Sequence, residues 1–188
     1  MKPIEPTFFH QPTLEIARDL IGKYIIHEHT SGLLIGKIVE TEAYMGAEDR
    51  AAHSFGNRRT KRTEVMFGEP GLIYTYQMHT HTLINVVAAP TGIPQAILIR
   101  AVEPIEGLEQ MKVNRRELPI KQWTNGPGKL TKAMAITMDY YGHHWSEKPL
   151  YMSEGEVAPS ISTGPRIGIQ NSGEAVHYPY RFWETDNP

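Results

Sequence analysis

Glu40, Glu42 and Tyr44 occupy every second position of Val39-Glu40-Thr41-Glu42-Ala43-Tyr44, and a histidine follows in Ala51-Ala52-His53-Ser54. The run has the character of a strand, where successive side chains alternate faces. It predicts Glu40, Glu42 and Tyr44 on one face and Val39, Thr41 and Ala43 on the other. A carboxylate inside a strand costs free energy unless it is solvated, paired or used. A single Glu would be explained by the wet side of a half-covered sheet. Two carboxylates, a phenol and a nearby imidazole point past that reading, to a site.

The segment Gln95 to Val102 supplies the counter-charge. Alternation predicts Leu98, Arg100 and Val102 on one face and Ile97, Ile99 and Ala101 on the other. An arginine in so apolar a run needs an anionic partner, and Glu40 and Glu42 are the candidates. Tyr74 and Tyr76 share a strand face, as a binding wall or as core residues with hydroxyls at the rim. His79 and His81, with His143 and His144, could suggest a metal. A zinc site also needs a third ligand in register and an outer shell. Nothing in the spacing supplies either, so no metal is expected.

The elements that position these residues follow from periodicity and turn chemistry. Leu14, Ala17, Leu20 and Ile21 predict a helix over Thr13 to Ile21, stopped by Gly22. Lys23 to His29 and Leu33 to Tyr44 form a hairpin-like strand pair around Ser31-Gly32. Gly46 to Glu64 is a long polar loop of the kind that carries function. Strands are predicted over Gly71 to Tyr76, Leu83 to Val87 and Gln95 to Val102, then a helix from Pro104 to about Val113. Asn125-Gly126-Pro127-Gly128 leads into a helix over Lys129 to Ile136, whose start could offer N–H groups to a phosphate. Short strands are expected near Pro165 to Ile169 and Tyr180 to Trp183. The class is α+β, in one domain over residues 1–188.

Composition narrows the setting. A chain of 188 residues can bury a real core. There is no cysteine, so disulfides and thiolate metal sites are excluded. No apolar run approaches the roughly 18 residues of a membrane span, and Met1 to Pro6 lacks the apolar core of a signal peptide. A cytoplasmic protein is expected. The net charge of -2 argues mildly against a generic nucleic-acid coat. Its basic residues are clustered, however: Arg58, Arg59, Lys61 and Arg62; Lys112, Arg115, Arg116 and Lys121; Lys129 and Lys132. Such runs are often only solvated faces, but three clusters around a candidate site suit phosphate contacts.

The carboxylate run, with Glu48-Asp49 and Ala51-Ala52-His53-Ser54, resembles the central motif of the 3-methyladenine (alkyladenine) DNA glycosylases. The likeness continues through Met66-Phe67, Pro70-Gly71, Tyr74-x-Tyr76, Asn85-Val86, Ile99-Arg100-Ala101-Val102-Glu103-Pro104, Asn125-Gly126-Pro127-Gly128-Lys129-Leu130 and Arg166-Ile167-Gly168-Ile169. It spans about Leu14 to Phe182. Each word is weak alone, and the shared order and spacing carry the resemblance. It implies a single mixed domain around a curved antiparallel sheet with surrounding helices. It also implies a repair enzyme that flips damaged purines, alkylated bases or hypoxanthine, out of duplex DNA.

By this resemblance Glu42 is the general base for the attacking water and Arg100 orients both. Tyr44 and His53 match one wall of the base pocket and Tyr76 the other. Asn85 matches the position that crowds the exocyclic amino group of guanine. An alkylated purine leaves as a cation and needs no strong acid, whereas hypoxanthine would need one, and none is identified. No cofactor is implied. No lysine stands at the nucleophile position, so a monofunctional hydrolase is implied. The expected partner is double-stranded DNA holding damaged purines, engaged by a monomer in the cytoplasm, at the nucleoid if the source is bacterial. Arg58, Arg59 and Lys129 are the expected phosphate contacts. The stretch from Tyr76 to Asn85 is one residue shorter than the family pattern, leaving the residue that wedges into the vacated stack open between His79 and Met78. The other class of reading is a non-catalytic nucleic-acid-binding domain, disfavoured by the cost of burying Glu42 and Arg100 merely to bind a polyanion.

Overall fold

The chain folds as α1 (Thr13–Asp19), β1 (Tyr24–His29), β2 (Gly32–Tyr44), β3 (Ile73–Met78), β4 (His81–Ala88), β5 (Gln95–Glu106), α2 (Leu108–Asn114), α3 (Pro127–Ala133), β6 (Leu150–Ser153), β7 (Ile161–Gly164) and β8 (Arg181–Glu184). This computed structural model describes residues 1–185, so the last three of the expected 1–188 range lie outside the described residues. The strands form one antiparallel sheet in the order β3-β4-β5-β2-β1-β6. β8 pairs with the far half of β2, beyond the end of β1, and with β7. The sheet is curled and the three helices surround it, so the α+β class holds.

One face of the sheet is apolar. Ile73, Val86, Ile97 and Ala43 lie side by side across β3, β4, β5 and β2, all fully buried. Ile16, Ala17 and Leu20 of the first helix region pack in the same core, and Thr41 donates its hydroxyl to the Ala17 carbonyl at 2.7 Å. Burying each large aliphatic side chain contributes about 1.5–3 kcal/mol relative to exposure. α3 docks on β4 through Leu130 and through the Thr131 hydroxyl, which donates to the Thr82 carbonyl at 2.6 Å.

The alternation expected from sequence breaks at two facing bulges. Ile38 pairs with Val102, Glu40 with Ala101 and Thr41 with Ile99, leaving Val39 and Arg100 without Cα partners. A bulge re-aims the side chains beyond it. Ile38 and Ala43 therefore enter the core, while Val39 joins Glu40 on the opposite face. On β5, Val102 joins Ile97 and Ile99 in the core, and Ala101 faces out opposite Glu40. The placements expected for Val39, Ala101 and Val102 are corrected accordingly.

Three element boundaries also move. Pro104 does not start a helix: β5 runs on to Glu106, because Ile105 falls in a third register slip, a site that tolerates proline. Helix α2 begins only after Gly107, at φ 80°, where a Cβ would strike the Leu33 carbonyl. The expected strand at Pro165 to Ile169 is instead Ile161–Gly164. α3 starts at Pro127, whose ring suits a first helical position, and ends before Ala135 at φ 54°.

Candidate active site

Opposite the apolar face runs a row of another kind. Tyr74 faces Asn85, Asn85 faces Leu98, Leu98 faces Glu42, and Glu42 faces Arg181, across five strands. Four of the five are polar. Asn85 and Leu98 of this row line a cleft of about 440 Å³, together with Tyr44, His53, Tyr76 and Arg100. Of the expected site residues, Tyr44, His53, Tyr76, Asn85 and Arg100 line this one cavity, and Glu42 stands behind its wall, bonded to Tyr44.

Glu42 is 0% exposed. Its Oε2 accepts the Tyr44 hydroxyl at 2.8 Å, and its Oε1 accepts the Ile167 backbone N–H at 2.7 Å. Arg100 Nε lies 3.5 Å from the same Oε1. Burial pushes the carboxyl above the ordinary carboxylate range, and Arg100, the Ile167 amide and Tyr44 only partly offset it. A carboxylate so held is a ready proton acceptor. Arg100 donates its Nε to Glu40 at 3.0 Å, so both expected partners engage it and Glu40 is the nearer. Glu40 also lies 3.3 Å from Arg181 Nε.

Aromatic groups wall the cleft. His53 meets Tyr76 edge-on at 4.6 Å between ring centroids, and its Nδ1 shares a hydrogen bond with the Tyr74 hydroxyl at 2.8 Å. Burial, with Arg62 and Arg58 nearby, pushes the imidazole down to about 4, so it is neutral at pH 7. Burial raises the phenols of Tyr44 and Tyr74, and raises Tyr76 to about 12, which keeps all three as hydroxyls. Asn85 donates Nδ2 to the Tyr74 carbonyl at 2.9 Å. Only an N–H can satisfy that carbonyl, so Oδ1 is the free end of this amide.

The tip of the β3–β4 hairpin is a two-residue turn. Met78 pairs with His81, leaving His79 and Thr80 at the apex, with His79 at φ 54°. That tight turn accommodates the missing residue, in a conformation histidine adopts more readily than most side chains. Met78 is 46% exposed and lines the cleft, on the same strand face as Tyr74 and Tyr76. His79 stands beside it, exposed.

The basic residues separate. Arg58 and Arg62 are exposed and act on His53. Arg59 is bound to Glu64 through Nε at 2.9 Å and lies over the Phe67 ring at 4.8 Å. Arg115 is buried and donates to the Gln122 carbonyl, Lys112 pairs with Glu117 on the surface, and Arg116 and Lys121 are exposed. Pro127 has no N–H, and the Lys129 and Leu130 amides bond the Gly126 carbonyl. Among the described residues the Gly128 amide makes no such bond, and the Lys129 ammonium lies 2.8 Å from Asn125 Oδ1. His144 uses its ring on the Pro70 carbonyl and the Ser146 amide. Among the described residues no group of three His, Asp or Glu side chains is arranged to hold a metal.

Sequence reasoning missed the supports. Asp49 and Arg166 form a buried double contact, Arg166 Nη2 donating to Oδ1 at 2.8 Å and Nη1 to Oδ2. The Arg166 guanidinium is sandwiched between Tyr44 and Tyr180, at 4.7 and 5.3 Å. This pair ties the loop leading to His53 to the segment carrying the Ile167 amide. Both residues belong to words of the resemblance, but a contact across 117 positions leaves no periodic signal.

The fold and cleft define a small α+β protein with a buried carboxylate behind the wall of an aromatic slot. The chain belongs to the methylpurine-DNA glycosylase family, whose profile matches residues 7–188. Its relatives bear provisional names as 3-methyladenine DNA glycosylases. One from Bacillus velezensis is 61% identical over 99% of this chain and 95% of its own length. One from Bacillus subtilis is 58% identical over 98% and 94%. One from Listeria monocytogenes serovar 1/2a is 50% identical over 96% and 88%.

Proposed function

We propose that this chain is a monofunctional DNA glycosylase that hydrolyses the N-glycosidic bond of damaged purines, alkylated bases and hypoxanthine, in duplex DNA. The observation that carries the reading is the buried Glu42, its carboxyl raised by burial, directly behind the Arg100 and Tyr44 that line an aromatic cleft. A purine inside a duplex cannot reach such a carboxylate, so the nucleotide is extruded into the slot. His53 meets Tyr76 edge-on, so in place of the expected grouping of His53 with Tyr44, Tyr76 with His53 forms one stacking wall and Tyr44 the other. Glu42 takes a proton from water as the sugar carbon becomes oxocarbenium-like, and Arg100 orients the pair. The base leaves, and an abasic site remains.

An alkylated purine is already cationic and departs without an acid, which a single carboxylate can serve. Asn85, buried and lining the cleft, is the position assigned to rejecting the exocyclic amino group of normal guanine. No lysine lines the cleft among the described residues, which favours water over a Schiff base as nucleophile. The protein acts as a monomer on cytoplasmic, nucleoid-associated DNA. No helix of the described residues is long and apolar enough to cross a membrane.

The test is strand nicking of duplexes carrying an alkylated purine or hypoxanthine, with and without alkali and with and without a chelator. Cleavage that needs alkali and ignores the chelator is expected. Nicking without alkali would make the enzyme a lyase, chelator sensitivity would make it metal-dependent, and binding without any cleavage would leave only a DNA-binding domain.

A further inference from the structure

Arg100, which lines the base cleft, sits between two carboxylates and bonds Glu40, which lines the neighbouring cavity, in preference to Glu42. Its Nε is 3.0 Å from Glu40 in hydrogen-bond geometry and 3.5 Å from Glu42. The bulges create this arrangement. Arg100 has no Cα partner and emerges between Ala101, opposite Glu40, and Ile99, opposite Thr41. It is therefore level with the gap between the two glutamates. On the other side Arg181 Nε lies 3.3 Å from Glu40 as a charge contact without hydrogen-bond geometry, and its guanidinium lies 4.2 Å above the Trp183 ring.

We propose that Glu40 is a positioning residue, which with Arg181 holds the Arg100 guanidinium partly off Glu42 and so leaves Glu42 free to take a proton from water. This rests on the reading of Glu42 as the general base. The four groups form a cluster of two guanidiniums and two carboxylates. A guanidinium that closed fully on Glu42 would make a locked pair, and a locked carboxylate is a poor base. The groups facing Glu42 are few: Glu40 and Tyr44 on its own strand, Arg100 on β5, Tyr76 on β3, Arg181 on β8 and the Ile167 amide. Of these, the charges on Glu40 and Arg181 can be removed without touching a group that contacts Glu42 through a hydrogen bond. The negative charge of Glu40 is itself among the influences that raise Glu42, which agrees in sign.

The two outer charges should act in opposite directions. Glu40→Gln leaves a net positive cluster around Glu42, so the acidic limb of the pH–rate profile should move down by about one unit. The plateau should fall about tenfold, as the base weakens and Arg100 shifts. Glu40→Asp keeps the charge and should keep the limb. Arg181→Met leaves a net negative cluster and should move the limb up. The measurement is single-turnover base release from a duplex carrying an N-alkylated purine, whose departure needs no acid, so the limb reports the base. Glu42→Gln is run alongside. If Glu40→Gln and Arg181→Met leave the limb in place, or shift it the same way, while Glu42→Gln is inactive, the proposal falls and the general base stands. If Glu42→Gln still cleaves within about threefold of the parent, the base assignment falls and takes the proposal with it. Should Glu40→Gln not fold, Arg181→Met alone decides: an unmoved limb overturns the proposal.

Discussion

Two buried carboxylates, Asp49 and Glu42, each face an arginine, and their acidities move in opposite directions. Burial raises both. At Asp49 the opposing contacts win: Arg166 grips both oxygens, and the Met45 and Ala51 amides donate to them at 2.9 and 3.0 Å, which holds the carboxyl below its ordinary value. At Glu42 burial wins. Its arginine stands 3.5 Å away, bonded elsewhere, and only one hydroxyl and one amide donate to it. The comparison separates a carboxylate spent on architecture from one with capacity left for chemistry. The number of donors decides which it is, more than burial or the presence of a cation.

The largest effect expected from this difference is at Glu42. Glu42→Gln keeps the shape and loses the proton acceptor, so base release should drop by about 10²–10⁴-fold. Affinity for lesion duplex should persist. Stability should not suffer. The folded pKa lies above the unfolded one, so the ionised carboxylate subtracts stability at pH 7, and that burden is relieved only as the pH falls through the folded value. The variant's unfolding temperature at pH 7 should equal or exceed the parent's; a marked fall would mean Glu42 is structural too.

Asp49→Asn should do the reverse. Removing one partner of a buried ion pair costs about 3–5 kcal/mol, or roughly 10 °C in unfolding temperature for a chain of this size. Because the folded pKa of Asp49 is depressed, its contribution is complete above the unfolded value and is lost as the pH falls through the folded one. Thermal unfolding of parent and variant should therefore differ most near neutral pH and converge in acid. A constant gap would assign the loss to packing, not charge.

The legible parts of this molecule were those with short-range grammar. The period-two pattern put Glu42, Tyr44, Tyr74 and Tyr76 on the right faces, since no bulge intervenes between the members of each pair. It failed at Val39 and Ala101 because a bulge is one extra residue, and nothing in the side-chain pattern marks which one. Pro104 looked like a helix start because its strand role depends on a register slip with β2. The need of Arg100 for an anion was legible, but its choice of Glu40 over Glu42 depends on two facing bulges. The Arg166–Asp49 pair and the Ile167 amide were not legible, because chain closure over more than a hundred residues makes them.

The hairpin tip tests whether side chains left without partners are the ones that meet DNA. A wedge acts by filling the gap left by the flipped nucleotide, so its loss should hit flipping before bond breaking. His79→Ala and Met78→Ala are compared through the fluorescence of 2-aminopurine beside the lesion. The side chain that enters the stack should lower the flipped population by a factor equivalent to about 1–3 kcal/mol. His79 stands at the apex, while Met78 is directed to the cleft, so His79→Ala is expected to change flipping and Met78→Ala to change lesion affinity. If neither changes either signal, the wedge is elsewhere.

The smallest effect applies the same comparison to the surface arginines. Arg59 is spent as Asp49 is spent: both its Nε and Nη2 bond Glu64, and its plane covers Phe67. It brings a carboxylate with it, so the pair presents almost no net charge to a phosphate. No described side chain pairs with Arg58 or Arg62, and their positive field already reaches His53 in the cleft wall. A side chain that neutralises one phosphate releases about 0.9 counterion from duplex DNA. Arg58→Gln and Arg62→Gln should each reduce the slope of log affinity against log salt by about one, equally for lesion and undamaged duplex, since phosphate contacts carry no base information. Arg59→Gln should change that slope by less than about half as much. Fluorescence anisotropy across a salt series measures all three. An Arg59 effect as large as that of Arg58 would show that DNA breaks the Glu64 pair on binding, and that a satisfied arginine on this surface is not a reliable sign of an inert one.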